Sequence, residues 1–477
     1  MKTNTLDFDA QALREKILDL AMRGKLVPQD PNDEPASVLL EKIKAEKEQL
    51  IKEKKIKKSK PLAPITDDEK PFDIPDSWEW VRLGDVNTYN SESVHPDRTP
   101  DKTFELYSVP IFPTRKPEII KGEEIRSNKQ AVETGDVLLC KINPRINRVW
   151  KVSNFTDNEN IASTEWIVVR QREITTEYLR YSLMAPYFRN LLQSNVSGVG
   201  GSLTRAKPRE VRNYVLPIPP LSEQSRIAAK IAQLFALLRK VESSTQQYAQ
   251  LQTLLKSKVL DLAMRGKLVE QDPHDEPASV LLEKIKAEKE LLVKEGKIKK
   301  SKPLPPIADD EKPFDIPDSW EWVRLGDIIE LVSGRDIAKK YHLSHKIHNA
   351  TPYITGASNI DDKGNITINE WIDNPSVVVT KGTLLLSVKG TIGKIAILQL
   401  PKAHIARQIM GIENIYNFNQ DFQKYFLESY IGELKKKAKS MIPGISRNDI
   451  ILAPFPLPSL REQSIIAKKI HKIMSLI

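Results

Sequence analysis

LDLAMRGKLV occupies Leu18–Val27 and returns unchanged at Leu260–Val269. The copy is much longer than these ten residues: at a constant offset of 242, residues 18–85 and 260–327 match at 61 of 68 positions without a gap. A repeat of this length sets the architecture, because each copy is expected to fold in the same way. The chain is therefore predicted to consist of two related halves.

A second pair of matches lies further along each half. PIPPLSEQSRIAAKI at 217–231 returns as PLPSLREQSIIAKKI at 456–470. Between the two kinds of match lie two stretches, roughly 87–216 and 329–455, that barely resemble each other. This alternation of repeated and variable regions is typical of two modules with one fold and two different specificities.

The composition is that of a globular protein without membrane spans. The 477 residues are 40% hydrophobic and 29% charged, and a chain of this length suggests two to four domains. No run approaches the eighteen apolar residues of a spanning helix, and the N-terminus lacks an apolar signal core. The single cysteine, Cys140, excludes an internal disulfide and is interpreted as a small buried hydrophobe. We therefore expect a cytoplasmic protein that does not contact a membrane.

The formal net charge of +10 allows a polyanionic partner but does not identify one. Lysine runs at 52–60 and 294–302 are most often a solvated face; contact with phosphates or an acidic partner is the alternative. They lead into proline-rich arms at 61–75 and 303–317. Such arms cannot form a packed core and are predicted to lie on other surfaces.

One long helix is predicted at the centre of the chain. Residues 222–265 contain neither glycine nor proline, and at 1.5 Å per residue this helix is about 65 Å long. Apolar residues recur along it at alternating steps of four and three, the pattern of a coiled-coil seam. The predicted helix-pairing and partner-binding residues are Ile227, Ile231, Leu234, Leu238, Val241, Leu255, Val259 and Leu262.

The two termini are predicted to supply a partner for this helix. Residues 462–477 correspond to its first part, and residues 1–23 correspond to the remainder, so the two ends together rebuild nearly the whole helix. A single apolar stripe needs a covering partner, which predicts two long antiparallel helices and an approximate two-fold axis. The alternative is an unpaired solvated helix with two short terminal ones.

The two variable regions share a skeleton. Each opens with PDSWEWVRLGD and closes with a small-residue loop and a basic turn, at 197–211 and 441–450. The predicted strands are 135–142, 163–170, 382–390 and 394–400, and the predicted helices are 175–193 and 419–439. We therefore predict two modules of one fold.

Polar side chains with long reach are concentrated in the predicted loops of these modules. Arg, Lys, Asn and Gln match the donors and acceptors of base edges, and lysines near glycine-rich turns suit phosphates. Each residue alone also fits an ordinary surface group. The predicted DNA contacts are Asn143, Arg145, Asn147, Arg148, Arg205 and Lys207 in the first region, and Arg335, Lys339, Lys340, Lys389, Thr391, Arg407, Gln408, Arg447 and Asn448 in the second.

No catalytic motif is recognisable. The run GTIGK at 390–394 lacks the spacing of a phosphate-binding loop, and neither an Asn-Pro-Pro-aromatic motif nor a CxxC pair is present. His342, His345 and His348 would spread around a helix, so loop or phosphate contacts are favoured over a metal. We predict no catalytic residue and no metal on this chain.

The order of the regions, the endings PIPPLSEQ and PLPSLREQ, and the entries SWEWVRLGD resemble the DNA-specificity subunit of type I restriction–modification systems. The resemblance covers essentially the whole chain. It implies an α+β fold: two α/β target-recognition domains joined by a pair of long antiparallel coiled-coil helices, with a pseudo-two-fold from the internal repeat.

The resemblance also implies a division into five regions. These are 1–77 (half helix, short helix and proline-rich arm), 78–217 (target-recognition domain 1), 218–319 (long spacer helix, short helix and arm), 320–456 (target-recognition domain 2) and 457–477 (C-terminal half helix).

The implied function is sequence-specific recognition of double-stranded DNA without catalysis. Each recognition domain would read one half of a bipartite, asymmetric target, and the helices would set the spacer and dock two modification subunits. Two restriction subunits would complete the complex. No cofactor is expected on this chain; the modification subunits would use S-adenosylmethionine, and the restriction subunits ATP and Mg²⁺.

Two other hypotheses are open to the same residues. One is a coiled-coil scaffold that binds proteins without specific DNA readout, against which the Arg- and Asn-rich loops of two dissimilar regions argue. The other is an enzyme acting on nucleic acid, for which the nearest carboxylate–lysine cluster is DDEK. That cluster occurs in both arms, which favours a structural role.

Overall fold

The fold was determined from a computed structural model that describes residues 8–197, 204–414, 416, 418–438 and 444–477. Residues 1–7 of the predicted N-terminal half helix, and residues 198–203 and 441–443 of the two closing loops, lie outside the described residues. The chain divides into two compact units, Met1–Thr245 and Gln246–Ile477. Within the described ranges, no helix combines the length and apolar character needed to cross a bilayer.

The first unit contains short strands and helices, and the long helix α7 begins in it. The helices are α1 (Ala10–Met22), α2 (Ala36–Lys52), α3 (Leu83–Val86), α4 (Thr176–Met184), α5 (Pro186–Ser194), α6 (Pro208–Val211) and α7 (Leu221–Met264). The strands are β1 (Glu79–Arg82), β2 (Ser93–Val94), β3 (Thr103–Tyr107), β4 (Glu118–Lys121), β5 (Lys129–Ala131), β6 (Val137–Cys140), β7 (Val149–Lys151), β8 (Glu159–Ser163), β9 (Trp166–Val169), β10 (Val196–Ser197), β11 (Arg205–Ala206) and β12 (Val215–Ile218).

The second unit has a related set of elements. The helices are α8 (Ala278–Lys294), α9 (Leu325–Ile328), α10 (Gln420–Lys437), α11 (Arg447–Ile451) and α12 (Leu460–Met474). The strands are β13 (Glu321–Arg324), β14 (Glu330–Ser333), β15 (His342–Leu343), β16 (Thr351–Ile354), β17 (Glu370–Ile372), β18 (Val378–Thr380), β19 (Leu384–Ser387), β20 (Ile395–Ile397), β21 (Lys402–Ile405), β22 (Ile409–Glu413) and β23 (Pro454–Leu457).

Each unit contains one five-stranded mixed sheet and one smaller antiparallel sheet. The strand orders are β2-β5-β8-β3-β4 and β7-β6-β9 in the first unit, and β15-β17-β16-β21-β18 and β14-β22-β19-β20 in the second. In each unit a further antiparallel pair, β1 with β12 or β13 with β23, joins the beginning of the variable region to its end. Both modules are therefore closed at the repeated segments.

The strand β6 is buried on both faces. Val137 and Leu139 lie in the core shared with α4 and α5, whereas Leu138 and Cys140 lie in a second core with Trp150. Alternation of this kind follows from the pleat, because successive side chains point to opposite faces. In the second unit β19 is also buried on both faces. Leu384 and Leu386 lie in one core, and Leu385 lies in another. Both strands are thereby fixed, and the loops that follow them are held in place.

The predicted helix at 175–193 is two helices in the structure. Ala185 is extended, with φ −63° and ψ 147°, and separates α4 from α5. The cause is Pro186, which has no N–H to donate and disfavours the helical conformation in the preceding residue. The predicted helix at 419–439 is continuous as α10 over Gln420–Lys437; residue 439 lies outside the described residues.

The predicted long helix is present as the 44 residues of α7, and in the first unit α1 packs against it. Arg14 near the start of α1 pairs with Glu242 at 2.5 Å, whereas Gln29, beyond the end of α1, donates to Glu223 at 2.6 Å. The two helices of this unit therefore run antiparallel. Leu18 and Met22 share a core with the early part of α7.

In the second unit α12 packs against the end of α7. Ile466 and Ile470 share a core with Val259 and Met264. Gln252 donates through Nε2 to the carbonyl oxygen of Ile477, so here too the two helices run antiparallel.

The same two hydrogen-bond clusters attach each module to the repeated segments. The buried Arg82 donates to the carbonyls of Ala63 and Pro64 and pairs with Glu69 at 2.7 Å. Arg324 makes the equivalent bonds to Pro305, Pro306 and Glu311. These bonds fix the proline-rich arms against β1 and β13.

The second cluster centres on a buried carboxylate at the start of α7 and of α12. Glu223 accepts from Trp78 Nε1 at 2.9 Å, and Glu462 accepts from Trp320 Nε1 at 2.8 Å. Burial raises the pKa of both carboxyl groups. The tryptophan of each entry motif is thus bonded to the helix that follows the module.

Candidate nucleic-acid interface

The loop that follows β6 presents the first group of predicted DNA contacts. Asn143 and Asn147 flank a 3₁₀ turn, Pro144–Ile146, and both have left-handed backbones with φ of 50° and 49°. Asparagine tolerates this conformation better than most residues. The turn places Arg145 in solvent, where its Nε donates to Asn143 Oδ1 at 3.1 Å and to no other described residue. Arg145 is therefore available to an external ligand.

The same loop is bonded to the segment that carries Arg205. The Asn143 amide donates to the Thr204 carbonyl at 2.9 Å, and Ile142 forms a β-bridge with Arg205. Arg205 pairs weakly with Glu165 at 3.4 Å, and the exposed Lys207 precedes α6. The structure therefore brings the two predicted segments of the first module together.

Two of the predicted residues in this loop are used inside the module. Arg148 donates to the Ile142 carbonyl at 3.3 Å, and Asn147 donates through Nδ2 to the Leu183 carbonyl at 3.0 Å. These bonds stabilise the loop. Arg145, Arg205 and Lys207 are consequently better placed for external contact than Asn147 or Arg148.

In the second module, three separate segments meet at the end of β19. The Val388 amide donates to the Gln408 carbonyl at 2.8 Å, and the Arg335 amide donates to the Ile405 carbonyl at 3.0 Å. Lys389 forms a β-bridge with Gly444, which precedes α11. Arg335, Lys389 and Gln408 are all exposed at this point.

Gly334 is required where two of these segments touch. A Cβ atom at this position would lie 2.0 Å from the Ala406 carbonyl oxygen, closer than any side chain permits. The glycine therefore allows Arg335 to lie directly beside the 405–408 segment.

The other predicted residues of the second module differ in their freedom. Arg407 pairs with Asp336 at 2.6 Å, and Arg447 donates to the Leu331 carbonyl at 2.5 Å. Thr391 and Asn448 are exposed. Asp336 was not identified from the sequence, and it lowers the positive charge that Arg407 offers to a ligand.

Lys339 and Lys340 lie on a 3₁₀ turn that begins at Lys339, and both are exposed. His342 follows this turn and lies between Glu370, at 2.8 Å, and the Ile337 carbonyl, at 3.0 Å. The histidine thus holds the turn in place. Over the described part of the chain, no three His, Cys, Asp or Glu side chains are arranged to hold a metal.

The loops after β6 and β19 occupy equivalent places with different chemistry. Each follows the central, doubly buried strand of the smaller sheet. The first bends at two asparagines, whereas the second bends at Gly390 and Gly393, with φ of 70° and 92°. Equivalent loops with different side chains are the arrangement expected of two modules that read different sequences.

The predicted helix-pairing residues are buried towards the ends of α7 and exposed near its middle. Ile227, Ile231 and Val259 are buried, and Leu234, Leu238 and Leu262 are partly buried. Val241 and Leu255 are 44% and 47% exposed. The middle of α7 therefore presents an apolar surface within the chain.

A set of arginines in the first unit was missed by sequence reasoning. Arg115, Arg180 and Arg239 line one cleft although they are distant in sequence. No spacing or motif marks them, since they come from a turn, from α4 and from α7. Only the tertiary fold brings them together.

Comparisons with known proteins agree on one family. The family model described as "Type I restriction modification DNA specificity domain" matches residues 75–252 and 317–477. The type I restriction enzyme EcoAI specificity subunit of Escherichia coli is 34% identical over 98% of this chain and 89% of its own length. The EcoEI specificity subunit of the same species is 39% identical over 68% of this chain and 62% of its own length.

Two solved structures have a similar fold. A chain from a study of complex assembly and conformational transition in the type I R-M system has a TM-score of 0.63 and 24% identity, covering 85% of this chain and 92% of its own. The HsdS subunit from Thermoanaerobacter tengcongensis has a TM-score of 0.53 and 23% identity, covering 85% of this chain and 91% of its own.

Proposed function

Because the chain belongs to the family of type I restriction–modification DNA-specificity proteins, we propose that it is the subunit that selects the DNA sequence on which such a complex acts. The observation that carries this proposal is the pair of equivalent loops after β6 and β19. The first presents Arg145, and the second presents Lys389 at the point where Arg335 and Gln408, from two other segments, are also exposed. These side chain types match base edges in the major groove.

Each module reads one half of a bipartite target. In this proposal the modules are 78–217 and 320–456, which is supported by the pairing of β1 with β12 and of β13 with β23 near these bounds. Since the two sets of loop residues differ, the two half-sites differ, and the target is asymmetric. A single chain with an internal repeat can thereby read two different half-sites in the way a dimer reads two identical ones.

The helices fix the gap between the half-sites. In this proposal α1 and α12 together form the antiparallel partner of α7, which at 44 residues is about 65 Å long. A stiff pair of helices holds two modules at one separation, so the number of unspecified base pairs is fixed. The regions 1–77, 218–319 and 457–477 then make up the spacer and its attachments.

The catalytic chemistry belongs to other subunits. Two modification subunits, which use S-adenosylmethionine, dock on the repeated regions, and two restriction subunits, which use ATP and Mg²⁺, complete a cytoplasmic complex. The exposure of the apolar residues Val241 and Leu255 on α7 supports the docking of a partner subunit, because exposed apolar residues favour contact with another protein.

Methylation mapping tests the proposal. The chain is co-expressed with its cognate modification subunit in a host without other adenine methylation, and N6-methyladenine is located across the genome. We expect one motif with two short specified blocks around a fixed gap. Methylation at a continuous short site would contradict the two-module proposal, and binding of the partner without any methylation would favour a protein-binding scaffold.

A further inference from the structure

A basic cleft lies in the first unit between the helices and the recognition module. One wall is formed by α1 and α7, and the other by β7, α4 and a 3₁₀ turn at Phe112–Thr114. Its volume is about 740 Å³. Ile146 and Asn147, from the loop that carries Arg145, line its edge. The cleft is therefore continuous with the proposed base-reading loop.

Positive charge dominates the lining of this basic cleft. Among the described residues, six cationic side chains face it against two carboxylates, Glu15 and Glu177. The cationic residues are Arg14, Arg115, Lys151, Arg180, Arg189 and Arg239. A concave surface of one sign concentrates the potential and attracts a ligand of the opposite charge.

Four of the six cations already have carboxylate partners. Glu177 pairs with Lys151 at 2.6 Å and with Arg180 at 2.8 Å. Arg14 and Arg189 pair with Glu242 and Glu15. This leaves two arginines whose guanidinium groups form no ion pair with a carboxylate in the part of the chain that the structure describes, Arg115 and Arg239.

The guanidinium group of Arg115 is positioned to bind an anion. Its guanidinium lies 3.9 Å from the centre of the Phe112 ring, and its backbone is left-handed, with φ 59°. Its guanidinium donates to the Val149 carbonyl over a long distance of 3.5 Å. Desolvation and the neighbouring Arg180 lower the pKa of Arg115, although an arginine stays charged at neutral pH. A planar guanidinium stacked on a ring keeps its donor edge free for a phosphate.

We propose that Arg115 and Arg239 bind the DNA sugar–phosphate backbone at the point where the half-site read by the first module ends and the spacer begins. The inference rests on the proposed function and extends it, because these contacts read no bases. Three features favour DNA over an acidic protein segment: continuity with the loop of Arg145, stacked arginine geometry, and walls built from the helices that span the spacer.

A cleft in the second unit has a different lining. It lies against the end of α7, α10, β13 and β23, has a volume of about 450 Å³ and is lined by Asp261, Glu428 and Glu433, without a cationic side chain among its described lining residues. Each of these carboxylates pairs with a neighbouring lysine or arginine. We place the backbone contact at the first half-site because Arg115 and Arg239 both belong to the first unit.

The test uses the full chain in complex with its modification subunit. The double variant Arg115→Gln/Arg239→Gln is compared with the wild type for binding to duplexes that carry the mapped target or a scrambled sequence, over a range of salt concentrations. Loss of two phosphate contacts reduces the slope of log affinity against log salt by about 2. We expect equal weakening on both duplexes, an unchanged methylation motif, and backbone protection lost beside the first half-site only.

Two controls accompany the variant. Arg126→Gln removes one charge from an exposed arginine of the same module that does not line the cleft, and it should leave the salt slope unchanged. Arg115→Lys/Arg239→Lys keeps both charges and should restore most of the slope.

Three outcomes would overturn the inference. An unchanged salt slope would show that the cleft does not touch phosphates. Selective loss of binding to the target duplex would show base reading instead. Failure of the variant to hold the modification subunit would identify the cleft as a docking site for an acidic protein segment. Failure of the proposed function is distinguishable, because the wild type would then show no split motif.

Discussion

The two recognition modules differ in the charged side chains that they place beside the repeated helices. In the first unit α4 and α5 contribute Arg180 and Arg189 to the helix-side cleft, whereas α10 of the second unit contributes Glu428 and Glu433. The attachments of the two modules, by contrast, are nearly identical. Glu223 and Glu462 accept from their tryptophans at 2.9 and 2.8 Å.

We call the bonds that attach each module to the repeated segments, those of Arg82, Arg324, Glu223 and Glu462, the frame. The difference between the clefts shows that the modules vary independently of this frame. The frame bonds use side chains that occur in both repeats and backbone carbonyls that any sequence supplies. A module can therefore change its loops and its charge without changing its attachment. The comparison predicts that frame variants act alike in both units and that loop variants act in one unit only.

The largest expected effect comes from breaking the frame. Arg82 and Arg324 are each 4% exposed and bonded to several carbonyl oxygens and a carboxylate. Replacing either with Ala leaves these acceptors unpaired and should cost about 3–5 kcal/mol of unfolding free energy.

Chemical denaturation of Arg82→Ala and Arg324→Ala measures this cost. The two losses should agree within about 1 kcal/mol, because the bonds are repeated. A large loss in one unit with none in the other would contradict the independence of frame and module. Exposed Arg126→Ala serves as a control and should change stability by less than about 0.5 kcal/mol.

The next effect comes from the loops. Arg145→Ala should weaken recognition of one half-site by about 1–3 kcal/mol, and Arg335→Ala should weaken recognition of the other, if each reads a base. Binding to duplexes altered in one half-site at a time measures this. Equal weakening by either variant on every duplex would identify phosphate contacts instead.

The smallest expected effect is the pH dependence of the stability that the ion pair between Arg82 and Glu69 contributes. Hydrogen bonds from Arg82 lower the pKa of Glu69 to about 2, from an ordinary value of 4.5. A lowered pKa contributes stability above about pH 4.5, and this contribution is lost as the pH falls towards 2. Since Glu69 is partly exposed, we expect no more than about 1 kcal/mol.

Denaturation midpoints of the wild type and Glu69→Gln should therefore differ near neutral pH and converge near pH 2. In an Arg82→Ala background, adding the Glu69→Gln substitution should change the midpoint less, because only the bonds from Thr66 to Glu69 are then affected. A constant difference across the whole range in the wild-type background would show that the charge of Glu69 is not what stabilises the arm.

The sequence predicted those features that depend on local pattern. The long helix follows from 44 residues without glycine or proline, and the strands β6 and β19 follow from apolar runs. The internal repeat also predicted that the two units would share their attachments. Pro186 divides a predicted helix, and that division was missed although proline chemistry allows it to be read.

The site was only partly predictable. The loop residues were identified by residue type. Whether each is available to an external ligand depends on its partners in the folded protein: Arg148 donates to the Ile142 carbonyl, and Arg407 pairs with Asp336. The basic cleft combines residues up to 228 positions apart, Gln11 and Arg239. Contacts of this kind depend on tertiary packing, and neither composition nor periodicity indicates them.

An exchange of modules tests whether each module reads its own half-site. Residues 320–456 are replaced by a second copy of 78–217, the chain is co-expressed with its modification subunit, and N6-methyladenine is mapped across the genome. If each module reads its own half-site, the motif becomes symmetric, with the first half-site repeated in inverted orientation around the original gap. Methylation at the original asymmetric motif would contradict this, because the second half-site would then be read without the second module.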